Sequence, residues 1–238
     1  GGAFSGIPSL ISVSIPESVT NFVKTYFSHP FPSSSITVDT NNPVYSSVDG
    51  VLFDKSQTTL IQFPGKRAGT YTIPNTTKTI SGLAFGLCFN LTSVEIPNSV
   101  TTIGGAAFFY CFNLTNVRIP ASVTDWPSSD FGLSSDSYGS SYAFYACIKL
   151  ARVTIDEGVR HIPQLCFVHC YSLTNITLPN SLSTIGYKAF ASCTNLTSIT
   201  IPDSVTQIVS FAFTGCSSLT NVTISNGVTS IGVAAFKD

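Results

Sequence analysis

The residues of this 238-residue chain with the widest chemical reach are seven cysteines: Cys88, Cys111, Cys147, Cys166, Cys170, Cys193 and Cys216. Thiols can ligate zinc, close disulfides or act as nucleophiles. A structural zinc site needs two ligand pairs, but no C-x-x-C occurs and Cys166-x-x-x-Cys170 lacks a second half. His29, His161 and His169 fall at three unrelated positions, and Ser and Asp are too common for a Ser-His-Asp set to be read from co-occurrence. Asp130 and Asp136 offer carboxylates for calcium, but without the regular spacing of a calcium loop. The chemistry-bearing residues therefore point to no metal, no cofactor and no enzyme.

What positions the thiols is a 23-residue repeat. Copies begin at Leu10, Ser33, Ala68, Leu91, Leu114, Leu150, Leu173, Leu196 and Leu219, at steps of 23, 35, 23, 23, 36, 23, 23 and 23. Six cysteines hold one slot, which lies 20 residues after the leading position where no insertion intervenes; Cys166 takes the slot of Ala107, Ala189 and Ala212. These are places for small buried side chains, a common use of free Cys. Neighbouring side chains in a ladder point the same way, which suits a disulfide torsion near 90° poorly. Reduced, packed thiols are expected.

A fixed period of this length means a solenoid, in which each unit buries its apolar face against its neighbours. Leu, Val and Ile at offsets 0, 3 and 5 read as a strand, for example Leu91, Val94 and Ile96. Pro at offset 6 ends the ladder because it has no N–H to donate. Ser99, Ser122, Ser181 and Ser204 follow at offset 8, where a short hydroxyl can bond the turn backbone of its own or the next coil. Val and Ile at offsets 9 and 12 return the chain across the core. Ala-Phe then forms a spine of Phe85, Phe108, Phe144, Phe167, Phe190, Phe213 and Phe236, extended by Phe4 and Phe27.

The expected fold is an α/β solenoid: a right-handed array with one parallel β-sheet and short helical or 3-10 turns on the opposite side. Strands are expected near residues 10–15, 34–38, 70–73, 92–96, 115–119, 151–155, 174–178, 197–201 and 220–224. Residues 1–238 read as a single solenoid domain of about nine repeats with two insertions. The first, about 42–67, reads as a β-hairpin projecting from the array, with Gly50-Val51-Leu52-Phe53 and Leu60-Ile61-Gln62-Phe63 around Lys55–Thr58. The second, about 127–141, is a Ser/Gly/aromatic loop anchored by Trp126.

The run N-L-T-S-V-E-I-P-N-S-V-T-T-I-G-G-A-A-F-F-Y-C, residues 90–111, resembles the BspA-type leucine-rich repeat family, and four later copies follow it closely. The stretch Tyr45 to Thr72 looks like an insertion common in that family. The resemblance implies a surface or secreted protein of a host-associated bacterium or protist, with a role in adhesion to host matrix, to cells or to other microbes. It implies no catalytic residues.

Two surfaces are candidates for recognition. Offsets 2 and 4 face away from the core, giving Ser93, Glu95, Asn116, Arg118, Arg152, Thr154, Asn175, Thr177, Thr200 and Thr223. With strands ~4.8 Å apart these form two polar columns. They read either as a solvated β-surface or as a ligand face. In the second insertion Phe131, Tyr138 and Tyr142 stand among Ser, Gly and Asp, a mixture that suits adaptable recognition but also a plain covering loop.

Six N-x-S/T sequons occur, at Asn75, Asn90, Asn113, Asn175, Asn195 and Asn221, five of them arising from the repeat itself. Glycans are expected at several if the source is eukaryotic and the protein secreted. At Asn175 and Asn221 they would block the strand face.

Charge is scarce, with 11 basic and 12 acidic residues and no basic cluster. This excludes nucleic acid and anionic membranes as electrostatic partners. No apolar run reaches the roughly 18 residues of a transmembrane segment. The chain starts inside a repeat, which suggests a mature piece or a fragment, and neither end shows a polar capping unit. The leading functional reading is an extracellular or cell-surface adhesion module for a protein or glycan ligand on host, matrix or neighbouring cell. The alternative is a structural subunit of an extracellular filament or coat that associates head to tail.

Overall fold

The structure is a computed structural model, and the residues described are 7, 9–22, 32–127 and 141–238. The expected spine members Phe4 and Phe27, together with His29, Asp130, Phe131, Asp136 and Tyr138, lie outside them. Eighteen strands occur among the described residues: β1 (Ser12–Ile15), β2 (Ser35–Val38), β3 (Tyr45–Val48), β4 (Val51–Asp54), β5 (Thr59–Gln62), β6 (Gly69–Thr72), β7 (Thr79–Ile80), β8 (Leu91–Glu95), β9 (Thr102–Ile103), β10 (Asn116–Ile119), β11 (Arg152–Ile155), β12 (His161–Ile162), β13 (Asn175–Thr177), β14 (Thr184–Ile185), β15 (Ser198–Ile201), β16 (Gln207–Ile208), β17 (Asn221–Ile224) and β18 (Ser230–Ile231).

Stacked coils of parallel strands make a β-solenoid. On its first side β1 pairs with β2, β6–β8–β10–β11–β13 form one ladder, and β15 pairs with β17. Register keeps each repeat position opposite itself: Val117 faces Val153, and Val153 faces Ile176. Alternation then sends Val153 and Ile155 inward while Arg152 and Thr154 stay exposed. All nine expected strands are present, within two residues at each end.

The second side was expected only as a return across the core. It is instead a ladder of short strands, β5–β7–β9 and β12–β14–β16–β18, of two residues each except for the four-residue β5. The apolar residues Ile80, Ile103, Ile185 and Ile208 are fully buried, whereas Ile231 of β18 is exposed.

The third side carries the largest correction. No helix occurs among the described residues, so the helical part of the expected α/β class does not hold. The wall is a ladder of turns. Within one coil, Ala107, Phe109 and Cys111 donate their N–H groups three residues back, to Gly104, Ala106 and Phe108. The alternate amides of Ala106, Phe108 and Tyr110 reach the next coil, at Ser141, Ala143 and Tyr145, over 2.6, 2.8 and 2.9 Å. A left-handed residue recurs every fourth position, as at Ala106 (φ 54°) and Tyr110 (φ 57°), then Leu165 (φ 58°) and His169 (φ 60°). Left-handed residues cannot sit in a continuous right-handed helix, so the wall pairs between coils instead.

This wall holds the phenylalanine spine inward. Phe85, Phe108, Phe144, Phe167, Phe190, Phe213 and Phe236 stack with centroids 4.7, 4.9, 5.3, 5.4, 5.2 and 5.2 Å apart. Phe63 extends the spine at 4.9 Å. The offset-8 serines divide: Ser122 and Ser181 donate to the carbonyls of Val100 and Val159 in the preceding coil, at 2.6 and 2.8 Å. The Ser99 and Ser204 hydroxyls are buried without a partner.

The first insertion does not project. β3 and β4 form the antiparallel hairpin across Asp49-Gly50, both with positive φ, and β4 pairs antiparallel with β5. Val51, Leu52, Phe53 and Leu60 are fully buried. Val51 and Phe53 pack into the main core, whereas Leu52 packs with Val13, Ile15, Ile36 and Tyr45. β4 thus stands between two apolar clusters, which is why it reads as a continuous apolar run.

Candidate binding surfaces

The cysteine column lies in the interior. All seven cysteines are free and buried. Burial pushes the thiols of Cys88, Cys147, Cys166, Cys170 and Cys193 up, and Cys216 up to about 11. Nucleophilic and metal-binding chemistry both need the thiolate, which this environment disfavours. Among the described residues no group of three or more His, Cys, Asp or Glu side chains could hold a metal ion.

The strand face brings the expected polar residues into rows. Ser93, Asn116, Arg152 and Asn175 are consecutive neighbours across β8, β10, β11 and β13. Arg118, Thr154 and Thr177 form a second row, and Thr200 faces Thr223. The rows are cross-linked by their own side chains. Ser93 Oγ donates to Asn116 Oδ1 at 3.1 Å, and Thr72 Oγ1 donates to Glu95 Oε2 at 2.9 Å. Arg118 is not a lone charge in the column. Its guanidinium forks onto both carboxylate oxygens of Asp156, and its Nη1 donates to Asn98 Oδ1 at 3.2 Å. Asp156 occupies the slot that holds Pro97 and Pro120 in other copies. Arg152, Thr154, Asn175, Thr177, Thr200, Asn221 and Thr223 are exposed.

Among the sequons, Asn75, Asn90 and Asn195 are exposed on turns, and Asn175 and Asn221 lie on the strand face. Asn113 is half-buried, with Nδ2 donating to the Phe89 carbonyl at 2.6 Å. Trp126 is buried at the root of the second insertion. Tyr142 belongs to the turn wall rather than to a loop. It has φ 49°, and its ring meets Tyr145 edge to face at 5.6 Å.

Reading by offsets missed the outer face of that wall. Phe109 and Tyr145, Tyr110 and His169, and Phe112 and Tyr171 share columns just beside the spine. The column reading that finds the inward Ala-Phe and Cys positions also finds these rings.

A family model for the BspA type leucine-rich repeat region matches residues 1–67, 62–138 and 137–238 in six copies. The chain belongs to this family. It is similar to solved leucine-rich repeat proteins from Eubacterium ventriosum (28% identity, TM-score 0.83, 95% of this chain and 58% of that one) and Treponema pallidum (25%, 0.63, 79% and 82%). A leucine rich cell surface protein from Faecalibacterium prausnitzii is 31% identical, with TM-score 0.62, over 91% of this chain and 48% of its own. No curated protein matches. No helix among the described residues is long and apolar enough to cross a membrane.

Proposed function

We propose that this chain is a non-enzymatic adhesion module, exposed at a cell surface or secreted, that binds a protein or glycan ligand through its strand face. The observation that carries this reading is the pair of registered, exposed rows on β8, β10, β11 and β13. Their side chains stand on backbone fixed by parallel pairing, so a ligand meets them preorganised. The family membership and the cell-surface relative from Faecalibacterium support the location. Residues 1–238 act as one solenoid domain in this reading. Immobilised matrix proteins and glycans, probed with the native chain and with Arg152→Glu and Thr154→Lys variants, test it. Binding lost in the variants, with thermal stability unchanged, is expected; equal binding by all three proteins places the site elsewhere. Glycans at Asn175 or Asn221 would oppose this use of the face, and intact mass of native material reads them directly.

A second reading is head-to-tail association into a filament or coat, since a parallel ladder can be extended by another copy and a head-to-tail contact propagates unless its rotation closes a ring.

A further inference from the structure

We infer that the outer tyrosine cluster of the turn wall, Tyr110, Tyr142, Tyr145 and Tyr171, docks an arginine side chain of a protein partner. The inference rests on the protein-binding reading above and adds a second surface and a chemistry to it.

Ring geometry separates this cluster from the spine it backs. From Phe85 outward to Phe236, spine rings are 2–11° from parallel and cover one another's faces. Outside, Tyr110 and Tyr145 are 5.8 Å apart at 58°, and Tyr142 and Tyr145 are 5.6 Å apart at 67°. His169 joins Tyr145 to Tyr171 at 5.3 and 5.5 Å, with interplanar angles of 83° and 48°. Tyr145 stacks one face on Phe109 at 5.3 Å and 15°, so the surface the cluster offers to a partner is carried mainly by Tyr171, Tyr110 and Tyr142. Tyr171 is 41% exposed, and Tyr110, Tyr142 and Tyr145 are half-buried.

Charge selects the occupant. Wall segments 82–89, 105–112, 141–148 and 164–171 contain no Asp, Glu, Lys or Arg. Burial holds His169 below its usual range, so it brings no positive charge of its own at neutral pH. Aromatic faces carry negative quadrupole charge and attract cations. The chain already places a cation over two other aromatic pairs, one buried (Phe63 and Tyr71) and one half-buried (Tyr187 and Phe211). Arg67 lies 5.6 and 5.2 Å from the ring centroids of Phe63 and Tyr71, and Lys188 lies 5.3 and 5.6 Å from those of Tyr187 and Phe211. Over the four tyrosines no Lys or Arg lies among the described residues. Arginine suits the site better than lysine because its planar, weakly hydrated guanidinium stacks on rings and still donates edge-on to hydroxyls.

The test is an NMR titration of tyrosine ring signals with a short arginine-bearing peptide and its citrulline isostere. The isostere keeps the shape and removes the charge. Shifts at the four tyrosines with arginine, weakened about 3- to 30-fold by citrulline, are expected from one cation–π contact. Tyr171→Ser removes an exposed ring and Tyr145→Leu keeps apolar bulk, so both should fold and both should weaken the arginine effect. Equal shifts with citrulline, undiminished shifts in both variants, or none up to ~20 mM peptide would overturn the site. If matrix binding persists in that last case, this site falls while the adhesion reading stands.

Discussion

The Cys111 thiol donates to the Phe85 carbonyl of the preceding coil at 3.0 Å, an oxygen that already accepts the Cys88 amide at 3.1 Å. The same pairing recurs from Cys147 to Phe108, Cys170 to Phe144, Cys193 to Phe167 and Cys216 to Phe190, at 3.2, 3.4, 3.3 and 3.3 Å. The thiol column and the phenylalanine spine are therefore one device. The amide closes the turn within a coil, and the thiol ties that turn to the next coil. Each carbonyl uses both of its acceptor directions in a dry interior.

Raised thiol pKa values make stability fall in alkali. Unfolded thiols ionise near the ordinary value of 9.0, whereas folded Cys216 holds its proton to about 11 and burial keeps the deeper thiols protonated as well. Between those limits the folded state binds more protons than the unfolded state. Stability is then fully present below pH 9 and declines above it, by up to ~1.4 kcal/mol per pH unit for each such thiol. Urea midpoints measured from pH 7 to 10.5 give the slope; a flat profile would contradict a buried, reduced column. Thiol titration in denaturant should count seven free groups.

Truncating the spine should cost more than truncating the column. Phe190→Ala removes a ring stacked on both sides and should cost about 3–5 kcal/mol. Cys193→Ala leaves the Phe167 carbonyl its amide partner from Cys170, and should cost about 1–2 kcal/mol. Phe236→Ala, half-buried and stacked on Phe213, should cost less than Phe190→Ala. Chemical denaturation ranks the three, and a Cys193→Ala cost equal to that of Phe190→Ala would refute the ordering.

The turn wall should respond oppositely to two glycine substitutions. Ser192 is left-handed at φ 58°, in the repeat slot that Gly215 fills one coil later at φ 71°. Ser192→Gly relieves that strain and should stabilise by about 0.5–1 kcal/mol net of backbone entropy. At Gly104 an added Cβ would sit 2.3 Å from the Gly82 backbone nitrogen. Gly104→Ala should destabilise by about 2 kcal/mol or more, because neighbouring coils approach there through bare backbone. Melting temperatures moving in the same direction would count against the turn-ladder geometry.

If the filament reading holds, the 238-residue chain should associate as its concentration rises, through a face that includes Ile231 and Val233, 54% and 73% exposed. Light scattering should show mass rising with concentration for the native chain and suppressed by Ile231→Lys with Val233→Lys. A native chain monomeric at every concentration removes that reading.

Much of the fold was legible because the repeat writes each core position many times. Val94, Val117 and Val153 announce a strand together where one of them alone would not, and Phe108 with Cys111 announces the spine and the thiol column. The hairpin differs from its expected projecting form because a short apolar run such as Val51-Leu52-Phe53 reads the same whether one face or both are covered. The ion pair of Arg118 with Asp156 was hidden because its members are 38 residues apart, brought together only by strand pairing across an insertion.

The sequence by itself determined the period, the inward residues, the nine strands of the first side and the family. Those follow from hydrophobic spacing, which is local and repeated. Only the tertiary structure decided how the third wall is built. Ala106, Tyr110 and most of their equivalents are not glycine, Gly215 excepted, yet they are left-handed there because inter-coil hydrogen bonds from every second amide outweigh their local preference. The same choice splayed Tyr110, Tyr142 and Tyr145 onto the outer surface, because a turn wall directs its alternate side chains outward where a helix would have placed them otherwise.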